Sequence, residues 1–384
     1  MRIGVVCHPT IGGSGLLATQ LGIGMAKLGH QVHFISRTRP FKLSENCPNT
    51  FFHRVEGIDY PLFDDPLYTF ALTAKIVEVV DAYNLDIVHA HYSIPHSLCV
   101  HLANEITKHK FPMITTIHGT DVTVVGRDKP LYPLNQFSIN KSTTVTTVSR
   151  YQQQYIKKHF DIKKSIEVIY NFTNFDLFKA SNANHSTRKQ WADDDEKILM
   201  HISNFRPVKN TELVVKVFSQ VVKSIKAKLV LVGTGPEVDL TKSLAARLNI
   251  LDKVIFLGDI NNVEQIIANA DCVFQPSSHE SFSLVLLEAM ASGVPTVSSN
   301  VDGIPEVVQH GKTGFIAPLD DLIGMSDHIK NIFSDDVLSE SMAKAGRIRA
   351  EQCFGWHQQV QKYLKCYENT LQTFHSNNVI QVGQ

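Results

Sequence analysis

Residues 279–297 read HESFSLVLLEAMASGVPTV and carry two glutamates, Glu280 and Glu288, eight positions apart. Ser281 or Ser283 can cap a helix running LVLLEAMA, which Gly293 and Pro295 stop. Glu280 then stands in the loop ahead of the cap, and Glu288 lies about one and a half turns inside. That helix is apolar nearly all round, so it is largely buried, and a carboxylate within it must be ion-paired or hydrogen-bonded. A vicinal diol offers two O–H donors that one carboxylate accepts together. A structural salt bridge at Glu288 is the competing reading.

Other loops carry complementary chemistry. HISNFRPVKN (201–210) leaves a strand and places Arg206 and Lys209 ahead of a helix beginning near Thr211. Two cations beside a helix N-terminus suit a phosphate or carboxylate. LVGTGPE (231–237) adds a glycine turn at Gly233 and Gly235, with Pro236 opening the next helix. In CHPTIGGSGLLATQLG, Gly12, Gly13 and Gly15 permit close backbone approach, and Ser14 sits where a helix opens, an anion site. The loop is neither GxGxxG nor a P-loop, since no GK[ST] follows. TTIHGTDV (115–122) sets His118 at a strand end before Gly119, with Asp121 close behind. HAHYSIPH holds His89, His91 and His96, but His89 and His91 share one strand face with no Cys or acid at zinc-ligand spacing, so no metal is expected.

These loops need strands to present them. RIGVVC, QVHFIS, DIVHAHY, MITTIHG, TVTTVS and IEVIY each fit a buried parallel strand, with amphipathic helices between them at 16–28 and 67–83. KILMHIS, AKLVLVG, KVIFLG, DCVFQPS and PTVSS repeat the rhythm after a polar stretch at 179–196 that reads as linker and surface. The class is α/β: two doubly wound parallel-sheet domains in succession. The expected boundaries are an N-terminal domain at 1–170, a linker region at 171–196, a second domain at 197–355, and a helix and tail at 356–384 packing back on the first domain. Open α/β sheets bind ligands at the carboxyl ends of their strands, so a cleft between two facing sheets is the expected site.

At 384 residues the chain exceeds the ~250–300 at which one core stops growing, which also argues for two domains. Thirty-seven basic and 37 acidic residues cancel and give no electrostatic footprint for nucleic acid. No transmembrane run or signal peptide is readable. The six cysteines are scattered with no CxxC and read as reduced thiols, which makes the expected location cytoplasmic. The second strand ends FISRTRP without a ribose-binding acid, so a nicotinamide oxidoreductase rests on Arg37 alone.

HESFSLVLLEAMASGVPTV resembles the E-x7-E signature of the retaining GT-B glycosyltransferases of the glycogen-synthase-like class, family 4. The glycine loop, HGTD, the Arg/Lys loop, GTGPE and the GIPEVV…HGKTGF turn carry the resemblance over almost the whole chain. The combination GGSG…HAHYSIPH…TTIHGTD…YNF…HISNFRPVK is similar to the malate-using branch of that family. The resemblance implies two Rossmann-like domains, UDP-GlcNAc as donor, L-malate as acceptor, a retained α-linkage, and neither metal nor other cofactor. It implies that Glu288 holds the uridine ribose, Glu280 a hydroxyl of the transferred sugar, and Lys209 with the glycine loops the diphosphate. His118 would face the sugar near its primary hydroxyl. Gly13, Asn204, Gly235, Ser281, Phe282 and Ser283 complete the implied donor set, with His118, Lys209 and Glu280 as the catalytic group. Ser14, Tyr92, Thr116, Asn171 and Arg206 are the implied acceptor set, with Asn204 a further candidate for it.

One departure matters. The wider family commonly has Arg where this chain has Asn204, five positions before the Lys, so Arg206 is displaced and is expected to read a malate carboxylate. The alternative keeps the fold and takes a glycan or a lipid-linked acceptor. The basic stretch YIKKHFDIKK (155–164) carries little apolar surface, so membrane association is not expected. A binding protein without turnover would need a decayed site, and the motif residues are intact. A homo-oligomer is left open.

Overall fold

The structure, a computed structural model, describes residues 1–9, 12–57 and 67–382, with side chains described as far as Ser376. Thr10 and Ile11 of the first glycine loop lie outside the described residues. The chain divides into two compact units, Met1–Asn171 with His357–Gln384, and Phe172–Trp356.

Among the described residues, unit 1 is built on seven strands: β1 (Arg2–Val6), β2 (Gln31–Ser36), β3 (Thr50–Arg54), β4 (Ile87–His91), β5 (Met113–Ile117), β6 (Thr144–Thr147) and β7 (Ile166–Val168). They pair in parallel in the order β3-β2-β1-β4-β5-β6-β7. Unit 2 has six: β8 (Lys197–Ile202), β9 (Ala227–Val232), β10 (Val254–Gly258), β11 (Cys272–Gln275), β12 (Thr296–Ser299) and β13 (Phe315–Ala317). These are parallel in the order β10-β9-β8-β11-β12-β13. Every residue of β4 and β5 is buried, as is fitting for strands covered on both faces, and this is why they read as unbroken apolar or Thr/His runs.

Each sheet winds outward from its first strand in both directions. The strand order therefore reverses between β1 and β4 in unit 1 and between β8 and β11 in unit 2. Loops diverge at such points and leave room for a ligand at the carboxyl ends. The loops after β1 and β4, and those after β8 and β11, are among those whose chemistry stands out in the sequence.

Two expectations need correction. The segment 179–196 is not a free linker: Trp191 and Ala192 are buried beside Phe178, Ile198 and Met200 in the unit 2 core. Arg188 ties it down, donating to Asp271 at 2.8 Å and to the Asn269 and Glu196 carbonyls at 2.7 and 2.9 Å. Two edge strands, β3 and β13, also lie where no strand is foreseen. At the other end, the helix Trp356–Val382 lies with unit 1: Tyr367 is fully buried and its hydroxyl is 2.7 Å from His89 Nδ1.

Candidate functional site

In unit 2, four loops at the carboxyl ends are held together by their own backbone. β8 ends at Ile202, and the chain runs through Asn204 and Arg206 into a single 3-10 turn, Pro207–Lys209, before the helix Thr211–Val221. The glycine turn after β9 packs directly on this loop. A Cβ on Gly233 would stand 1.9 Å from the Ser203 carbonyl oxygen, and one on Gly235 1.9 Å from that of Asn204, at φ +110° and +159°. Only glycine fits such contacts. The Glu237 N–H then donates to the Phe205 carbonyl at 3.0 Å, and the Ser278 N–H, beyond β11, donates to that of Val208 at 2.8 Å.

The result is one cluster. Lys209 Nζ donates to Glu280 Oε2 at 2.6 Å, with both side chains about one-fifth exposed. Glu280 is itself positioned by the turn after β12. Its N–H donates to Asp302 Oδ2 at 3.0 Å, and its carbonyl accepts from the Gly303 N–H at 2.9 Å. Asp302 thus sets the direction of Glu280, a role the sequence reading missed. The signal available was an Asp just before the glycine of DGIPEVV, 22 residues after Glu280.

Ser283, at φ +77°, caps the helix Leu284–Ala291 by accepting from the Leu286 N–H, which settles the choice between Ser281 and Ser283. Phe282 is buried with its ring edge-on to Phe354 at 5.3 Å, so a ligand can meet Phe282 only through its backbone. Glu288 is 9% exposed within that helix. Burial, reinforced by the nearby Glu264 charge, pushes its carboxyl up to about 8. Its carboxyl meets no hydrogen-bond donor or ion-pair partner among the described residues, so the structural salt bridge is not found. Asn204 and Arg206 are exposed, and the Arg206 guanidinium has no partner among the described residues.

In unit 1, Gly12 is the N-cap of the helix Gly13–Lys27, which places Gly13 and Ser14 in its first turn, where backbone N–H groups are unpaired. The loops after β4 and β5 are tied to each other by Asp121, which is 1% exposed. Its carboxylate accepts from the Gly119 N–H at 2.9 Å and the Ser93 N–H at 3.2 Å. Burial pushes this carboxyl up to about 6, and those N–H groups pull against the rise. The clamp brings Tyr92 and His118 together, their rings stacked at 5.5 Å, with the Tyr92 hydroxyl 3.0 Å from Thr120 Oγ1.

Thr116 is a correction. It is fully buried, with its hydroxyl 2.7 Å from His89 Nε2 and 2.6 Å from Thr146 Oγ1. It braces the sheet beneath the helix Trp356–Val382 and has no free face for an acceptor. Asn171 is the last residue before the chain enters unit 2 and is half-buried. Among the described residues no group of three or more His, Cys, Asp or Glu is arranged to hold a metal ion.

Backbone strain gathers at these same loops. Nine non-glycine residues have positive φ among the described residues, and five of them, Tyr92, Phe205, Asn210, Ser283 and Asp302, lie in the loops just described. Each such conformation costs about 1–3 kcal/mol and persists where surrounding structure enforces it, commonly at ligand sites.

Residues 11–177 match the model of "Glycosyltransferase Family 4" and residues 184–349 that of "Glycosyl transferases group 1". The N-acetyl-alpha-D-glucosaminyl L-malate synthase of Bacillus anthracis is 39% identical over 371 residues, 97% of either chain. The D-inositol 3-phosphate glycosyltransferase of Mycolicibacterium smegmatis is 24% identical, over 96% of this chain and 88% of its own. Among solved structures, Anabaena HepE in complex with UDP and glucose superposes with TM-score 0.82 at 20% identity, covering 96% of this chain and 99% of its own. Sucrose-phosphate synthase from Thermosynechococcus elongatus does so with TM-score 0.81 at 23% identity, covering 96% and 98%. The chain belongs to the family 4 glycosyltransferases: it is a GT-B hexosyltransferase.

Proposed function

We propose that this enzyme moves N-acetylglucosamine from UDP-GlcNAc to the hydroxyl of L-malate, giving GlcNAc-malate and UDP with the α-linkage retained, the first step of bacillithiol biosynthesis. The relative that shares 39% of its residues over nearly the whole chain is named N-acetyl-alpha-D-glucosaminyl L-malate synthase. The observation that supports the chemistry is the Lys209–Glu280 pair at the point where the unit 2 strand order reverses.

Breaking the donor C1–O bond leaves negative charge on the diphosphate and positive charge on the sugar ring. Lys209, the N–H groups of the turn at Gly235 and the start of the Leu284–Ala291 helix supply fixed positive potential for the departing group. Glu280 accepts from a hydroxyl of the sugar, and Glu288 from the ribose diol. No carboxylate nucleophile is assigned, so the acceptor attacks from the face the diphosphate leaves, and a phosphate oxygen takes its proton. Fixed protein charge does this work without a divalent ion. Arg206, exposed and unpaired among the described residues, binds a malate carboxylate.

The membrane enters only as a contrast. No helix among the described residues is long and apolar enough to cross one. Purified enzyme is incubated with UDP-GlcNAc and a panel of acceptors: malate, other hydroxy acids, inositol phosphate, and lipid-linked alcohols in vesicles. UDP release and product mass are followed. The expected product has the mass of GlcNAc-malate, and Arg206→Ala raises the malate KM about 10–100-fold, with a smaller effect on the donor. Turnover confined to the vesicle samples would reject malate.

A further inference from the structure

Beneath His118 lies a layer of histidines that the reaction scheme leaves unused. His91, at the end of β4, is 2% exposed; its ring stacks on His89 at 4.2 Å and lies edge to edge with that of His118, centroids 5.2 Å apart. His91 Nδ1 lies 3.0 Å from His118 Nε2. His91 Nε2 is buried with no hydrogen-bond partner. His118 is half-buried, and its Nδ1 has no partner among the described residues.

Desolvation holds both rings neutral across the ordinary pH range, since it drives the His91 pKa far down and His118 to about 3. A hydrogen bond between two neutral imidazoles has only two forms. If His118 donates from Nε2, His91 must keep its own proton on Nε2, as an N–H buried without an acceptor. If His91 donates from Nδ1, the orphan is only a bare lone pair. Among backbone groups orphaned buried N–H donors are rarer than under-satisfied acceptors, and the same desolvation argument applies to the ring nitrogens.

The neighbouring ring gives an internal comparison. His96 Nδ1 is hydrogen-bonded to the His91 carbonyl, which can only accept, so His96 is protonated at Nδ1 and its buried, partnerless Nε2 is bare. The layer already contains the defect that the second form requires.

We infer that His91 is a positioning residue that fixes His118 as the Nδ1–H tautomer, so that His118 presents a neutral N–H donor, and not a base, to the sugar. The orientation of the ring and the identity of its proton are set by the same contact. The assignment of a substrate-facing role to His118 rests on the function proposed above; the tautomer does not.

The test separates the two. Nitrogen-15 NMR of histidine-labelled enzyme distinguishes protonated from bare ring nitrogens. The wild type is expected to show His118 with Nδ1 protonated and Nε2 bare at neutral pH, free and with UDP bound. His91→Phe keeps an aromatic ring and removes the donor; it should give a mixture of His118 tautomers and lower kcat at least tenfold with little change in donor KM. His91→Asn can place an amide N–H where Nδ1 stood, and should restore one tautomer and most of kcat. A protonated Nε2 on wild-type His118 would overturn the inference, as would a single Nδ1–H tautomer surviving in a folded His91→Phe enzyme. Absence of sugar transfer by the wild type would instead count against the proposed function and leave the tautomer result standing.

Discussion

Glu288 carries a structural penalty in the free protein and, in the proposed function, a use as the acceptor for the ribose diol. Its carboxyl is raised from the ordinary value of 4.5 to about 8, so the folded, unliganded protein prefers it protonated. The unfolded chain releases that proton first as pH rises. The stability tied to Glu288 is therefore fully present below about pH 4.5 and is lost progressively as pH climbs through 8. A ribose diol reverses the preference, because two O–H donors favour the ionised form. UDP binding at pH 7 should accordingly release protons, seen by calorimetry as a binding enthalpy that depends on the ionisation enthalpy of the buffer. Glu288→Gln should abolish that dependence, weaken UDP about 10–100-fold, and flatten the fall in apo Tm between pH 5 and 8. A wild-type binding enthalpy identical in every buffer would show that the carboxyl does not change its proton. At this scale the sequence was legible where a residue breaks its local pattern, as an acid in LVLLEAMA does. It was silent where the meaning lies in contacts between distant segments: Asp302 under Glu280, or the hydroxyl of Thr116 turned inward to His89 and Thr146.

Elements were legible in proportion to their burial. The central strands are covered on both faces, and their unbroken apolar or Thr/His runs announce them. β3, in which no residue is fully buried, and β13, only three residues long, give no such run. The stretch at 179–196 misleads for the opposite reason. Its composition is polar, yet Trp191 and Arg188 anchor it, and two side chains outweigh the average of eighteen. The close contact of the β8 and β9 loops yields a prediction that belongs to this scale. Gly235→Ala places a Cβ 1.9 Å from a carbonyl oxygen of the Asn204–Lys209 loop, and backbone must shift. The substitution should destabilise the enzyme by about 1–3 kcal/mol and raise the donor KM well beyond the malate KM. Thermal melts with paired kinetics check it; an unchanged Tm and donor KM would mean that the two loops are not rigidly coupled.

As a whole, the molecule has no net charge with which to gather an anionic substrate, since 37 basic and 37 acidic residues cancel. Its charge is instead placed. The folding of unit 2 delivers Lys209 and Glu280, 71 residues apart in sequence, to within 2.6 Å of each other. Unit 1 is completed by the last helix of the chain, which buries Tyr363 and Tyr367 against β4 and β5 and frees the carboxyl ends of those strands to carry His118 and Tyr92. The central claim is that fixed protein charge carries the departing diphosphate. The most direct measurement is kcat for UDP release from UDP-GlcNAc with malate present, in excess EDTA, for the wild type and Lys209→Ala side by side. The account predicts that the wild type is unaffected by chelation and that Lys209→Ala loses roughly 3 kcal/mol of transition-state stabilisation, about 100-fold in kcat. Wild-type turnover abolished by EDTA, with Lys209→Ala as active as the wild type once a divalent metal is added, would contradict it.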